Sequence, residues 1–77
     1  MLLGMWNEGS KTLTIRRPNG QTYEVPGTSI TRGGYRVLGV DTVGNEVHVL
    51  TAPGTNTRPS RRDKFTDSGI YKGSTGI

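Results

Sequence analysis

Apolar and polar side chains alternate over two stretches of this chain, residues 13–25 and 37–49, in the same order and offset by 24 residues. Alternation with a period of two marks strands that cover a core on one face. Each stretch runs apolar alternation, a turn carrying a glycine, and apolar alternation again, which predicts two β-hairpins. Beyond the glycines and the apolar positions almost nothing matches between them, so two ordinary hairpins account for the offset without an inherited duplication. Solenoid repeats need at least three copies to bury their faces, and only two are present.

Loop length fixes which face of the first hairpin is apolar. A two-residue Asn19-Gly20 turn puts Leu13 and Ile15 on the face opposite Tyr23 and Val25. A three-residue loop, Pro18-Asn19-Gly20, pairs Ile15 with Tyr23 and Leu13 with Val25 and gathers all four on one side. Proline presets φ, asparagine tolerates the second position and glycine takes the left-handed one. The three-residue loop is therefore expected.

The second turn admits two registers. Asp41 can open a type I turn over Thr42 and Val43 with Gly44 in a bulge, so that Val37 faces Val49, Gly39 faces Val47 and Leu38 faces His48. Alternatively a two-residue Gly44-Asn45 turn pairs Val40 with Val49. The first is preferred because aspartate bonds the backbone of the turn it opens. Both faces of this hairpin carry apolar residues, which places it at the centre of a sheet.

Around the hairpins the character changes. Residues 1–10 begin with an apolar run, Met1-Leu2-Leu3-Gly4-Met5-Trp6, read as a short edge strand or as an exposed anchor with the sole tryptophan in a partner's pocket. Residues 26–34 read as a loop, with a bridge strand at 29–31. Residues 52–64 hold no large apolar side chain, and the remainder is rich in glycine and serine. Composition reads 52–77 as a tail that orders on binding, with 68–72 able to add a strand. The expected organisation is an N-terminal arm (1–10), a β-hairpin core (11–51) and a basic tail (52–77). The fold class is all-β: a small antiparallel barrel or strongly twisted sheet of four to five strands, with no helix longer than a turn. The short strands, bulged three-residue turns and long first loop resemble a small SH3-like barrel, a likeness of fold that carries no function.

Composition narrows the function. Of 77 residues 30% are hydrophobic and 12 are glycine, a thin core for one small domain, so added stability is expected from self-association or docking onto something larger. Without cysteine, neither a disulfide framework nor a thiolate metal site can be built, and His48 alone cannot build a zinc site without several carboxylate ligands. Catalytic inventory is equally short. His48 lies inside a predicted strand and reads as structural, and Glu24, Asp41 and Glu46 offer no converging pair. Lys72-Gly73-Ser74-Thr75-Gly76 lacks the strand and helix that a phosphate-binding loop requires. No enzyme activity, cofactor, metal or small-molecule substrate is expected. The apolar start is too short for a signal-peptide core or a membrane span, which suggests a soluble intracellular protein or a virion component.

Charge separates the two functional expectations. Residues 1–51 hold five basic and four acidic side chains, residues 52–77 five basic and two acidic. The first expectation is an assembly protein, as accessory subunits of viral shells and tails are, contacting copies of itself or a scaffold through Leu2, Leu3, Met5, Trp6, Phe65, Ile70 and Tyr71. The second is a nucleic-acid-binding module whose Arg58, Arg61, Arg62 and Lys64, with Arg16, Arg17 and Arg32, neutralise phosphates. The few aromatics give little support for a base-stacking platform.

Overall fold

The computed structural model describes residues 1–54 and 59–76. Seven strands and one helical turn follow in the order β1 (Leu3–Asn7), β2 (Thr12–Arg16), β3 (Thr22–Pro26), α1 (Gly27–Ile30), β4 (Tyr35–Val43), β5 (Glu46–Pro53), β6 (Arg61–Thr66) and β7 (Tyr71–Gly76). They form two antiparallel sheets, β1-β2-β3 and β4-β5-β6-β7. The class is all-β, but the expectation of four to five strands in one barrel or sheet is corrected: there are two sheets, and they do not close into a barrel.

The first hairpin has the register its apolar pattern demands, with Leu13 opposite Val25 and Ile15 opposite Tyr23. Gly20 sits at φ +90 and donates to the Arg17 carbonyl, while Arg17 N–H bonds the Gln21 carbonyl and closes the three-residue loop. In the second hairpin the preferred register is corrected. Val40 faces Val49 and Val43 faces Glu46, leaving Gly44-Asn45 as the two-residue turn. Gly44, at φ +59, takes the left-handed first position, a geometry that matches the strand twist better than a type I turn. A bulge at Leu38 absorbs the odd residue. The hairpin is also not central as a unit. β5 lies inside its sheet and is mostly buried, whereas β4 is an edge strand with exposed alternate positions.

Residues 1–10, expected to be an arm, contain β1, paired to β2 from Leu3↔Arg16 to Asn7↔Thr12. Residues 52–77, expected to be a tail, contain the end of β5 and all of β6 and β7. The loop 26–34 holds the helical turn α1 in place of a bridge strand. A radius of gyration of 11.9 Å is close to the ~11.5 Å expected of a compact chain this long.

One core joins both sheets: Leu2, Leu13, Ile15 and Val25 from the first, Val47, Val49 and Phe65 from the second, and Ile30 from α1, with Trp6, Val37 and Val40 packed against it. Two glycines allow close approach, one between the sheets and one under α1. A Cβ on Gly4 would stand 2.7 Å from Val47 Cγ1 and 2.8 Å from Val40 Cγ1, so β1 lies with bare backbone on the second sheet. A Cβ on Gly27 would stand 2.0 Å from the Lys11 carbonyl oxygen, so α1 can start only on glycine.

Candidate functional site

Strand alternation splits the expected partner-binding residues. Leu2, just before β1 (7% exposed), and half-buried Trp6 within it face inward, while Leu3 (42%) and Met5 (48%) face out. Trp6 packs on the core, and its Nε1 donates to Glu8 Oε2 at 2.6 Å. Phe65 is buried in β6. Leu2, Trp6 and Phe65, expected among the partner contacts, lie in or against the core of the chain itself. Ile70 (65%) and Tyr71 (49%) are exposed, as are Leu38 and Val43 on β4. The last two escaped the sequence reading, which placed their hairpin at the sheet centre.

The same alternation divides the basic run. Arg61, Asp63 and Phe65 face the core, and Arg62, Lys64 and Thr66 face away, as their pairings with Thr51, Val49 and Val47 on one side and Leu50, His48 and Glu46 on the other require. Arg58 lies outside the described residues. Arg17 is paired to Asp67 across the sheets at 3.6 Å and donates to Tyr23 Oη at 3.4 Å. Arg16 stands exposed at the end of β2.

Arg32 and Arg61 converge on Asp63, whose side chain is wholly buried. Arg32 places Nη1 3.3 Å from Oδ2 and Nη2 3.4 Å from Oδ1. It also donates to Tyr71 Oη and Ser74 Oγ at 3.1 Å each, and to the Ser29 carbonyl. Ser74 donates to Asp63. Arg61 lies over the Tyr35 ring at 3.7 Å, and its Nη2 donates to the carbonyls of Ile30 (2.9 Å) and Arg32 (3.1 Å). Its buried Nε has no hydrogen bond but stands 3.6 Å from Asp63 Oδ1. These bonds tie the crossover between the sheets to β6 and β7. They engage both Arg32 and Arg61, two of the cations expected to meet phosphates, in contacts within the fold. Beside them a cavity of about 260 Å³ is lined by Ser29, Arg32, Phe65 and Tyr71, smaller than the ~300–1,000 Å³ of typical ligand sites.

The outer face of the four-stranded sheet carries a second polar network. His48, in the middle of β5, is 7% exposed. Arg62 Nη1 lies 3.1 Å from His48 Nδ1, and because a guanidinium only donates, Nδ1 accepts. The imidazole is then neutral with its proton on Nε2, which donates to Glu46 Oε1 at 3.0 Å. Lys72 donates to the other Glu46 oxygen. The His48 bond, with that of Lys72, holds the Glu46 carboxyl at about 2, below its ordinary 4.5.

Among the described residues no group of three or more histidine, cysteine or acidic side chains could hold a metal ion, and no helix is long and apolar enough to cross a membrane. Comparison with protein families, curated proteins and solved structures gives no match to this chain.

Proposed function

We propose that this chain is a non-enzymatic assembly module that joins copies of itself through sheet edges and exposed apolar side chains, as an accessory structural subunit of a viral shell or tail would. The observation that carries this reading is the β1 edge. Two open sheets leave β1, β3, β4 and β7 as edge strands among the described residues. β3 has Glu24 and Pro26, β4 has Arg36, Asp41 and a bulge, and β7 has Lys72 and a bulge, all devices that discourage strand addition. β1, Leu3-Gly4-Met5-Trp6-Asn7, has neither charge nor proline and presents Leu3 and Met5 to solvent.

Light scattering over a concentration series tests it. The native chain should associate, and Leu3→Glu with Met5→Glu should yield folded monomers, since both side chains point away from the core. A native chain that stays a monodisperse monomer at high concentration would refute the proposal.

A further inference from the structure

The geometry points to a docking face for the phosphate backbone of nucleic acid on the outside of the four-stranded sheet, centred on Arg36, Arg62 and Lys64. It stands independently of self-association through β1. Its first support is where the charge sits. The chain holds ten basic and six acidic side chains. Glu8 is paired with Lys11, Asp67 with Arg17, and Asp63 with both Arg32 and Arg61. The outward positions of the three-stranded sheet hold one cation, Arg16, and one carboxylate, Glu24. The outward positions of the four-stranded sheet hold Arg36, Arg62, Lys64 and Lys72 against Asp41 and Glu46. Half of the chain's formal charge of +4 therefore lies on that one face.

The second support is how those cations are held. Lys72 is neutralised by Glu46. Arg62 rests against a neutral imidazole, which positions the guanidinium without cancelling its charge. Arg36 and Lys64 form no ion pair among the described residues. Neighbouring strands are ~4.8 Å apart and alternate residues ~6.7 Å apart, so from Arg36, opposite Ala52, to Lys64, in line with His48, the patch runs ~10 Å across the strands and ~13 Å along them, with Arg62 between. Its ~16 Å diagonal is longer than the ~10 Å of axis that three phosphates of one strand occupy at 3.4 Å each, room for each cation to meet its own phosphate.

The third support is what the face lacks. Trp6, Tyr35 and Phe65 are taken up by the core or by Arg61, Tyr23 lies opposite Ile15 in the other sheet, and Tyr71 shares the side of Phe65 and packs against it and Arg32, so no aromatic platform reads bases on this face and no aromatic anchor sits at its centre as in a protein-binding hot spot. The chemistry fits a sequence-independent hold on the backbone.

Fluorescence anisotropy of the full chain with labelled mixed-sequence duplex DNA and single-stranded RNA tests this at a series of salt concentrations. Binding to duplex should weaken with a log–log slope near −2.7, about −0.9 for each of three phosphates. Arg36→Glu with Lys64→Glu should weaken binding at least tenfold at low salt, and the milder Arg36→Gln with Lys64→Gln should reduce the slope by about 1.8. Arg16→Glu, on the opposite face, should leave binding within about twofold. Absence of binding at low ionic strength, or glutamine variants that bind with the native slope, would overturn the proposal. Equal affinity for polyglutamate of matched charge would overturn its assignment to nucleic acid and favour an acidic protein.

Discussion

Asp63 shows how much a single position can hide in a linear sequence. It falls in Arg61-Arg62-Asp63-Lys64, which by composition is a solvated basic run. Folded, its carboxylate is wholly buried between Arg32 and Arg61. A buried charge is tolerable only while its partners remain, and removing one partner typically costs about 3 kcal/mol or more. Asp63→Ala should therefore lower unfolding stability by about 3 kcal/mol in urea titration, chiefly by stranding Arg61, whose side chain is only 16% exposed. A loss under about 1 kcal/mol would show that solvent can replace the carboxylate. Alternation of Arg61, Asp63 and Phe65 against Arg62, Lys64 and Thr66 was available in the sequence. By itself it carries no orientation, because a run without large apolar residues gives no sign of which face is inward. The partner Arg32, 31 positions away, could not be found from local pattern at all.

At the scale of elements, turn chemistry and face parity were legible where apolar residues lay on one face only. The β2–β3 hairpin has a single register that gathers Leu13, Ile15, Tyr23 and Val25, and it is the one adopted. The β4–β5 hairpin has apolar residues on both faces, so parity could not choose between its two turns, and strand twist selected Gly44-Asn45. On the outer face, Glu46 links β5 to β7 through Lys72 and braces His48. Its carboxyl titrates at about 2 in the folded chain against an ordinary 4.5. The depressed value means the contribution of Glu46 is fully present above about pH 4.5 and is lost as pH falls through about 2. Denaturation midpoints measured across that window should decline, and Glu46→Gln should flatten the decline. A native-like acid limb in the variant would assign the sensitivity to other carboxylates.

For the whole molecule, the placement of the termini matters most. If residues 1–10 were a detachable arm, deleting the first six would leave a folded domain. Deletion instead removes most of β1, buried Leu2 and the Trp6 ring that packs on the core. Burying a large apolar side chain contributes roughly 1.5–3 kcal/mol, so losing these two should cost about 3 kcal/mol or more. That is a large share of the ~5–15 kcal/mol a domain holds. Circular dichroism should show a much lower melting temperature or no cooperative transition. An unchanged melt would return β1 to the status of an arm. The amino-acid sequence by itself determined the all-β class, the first hairpin's register and the shared face of Leu13, Ile15 and Val25, because period-two alternation and turn-specific residues act over a few neighbouring positions. Only the tertiary structure decided that there are two sheets, that the charged 61–66 segment is a strand, and that the apolar start of the chain closes the core at Gly4. Each of those depends on surfaces brought together across long separations, where a strand is held by the face it meets and not by its own composition.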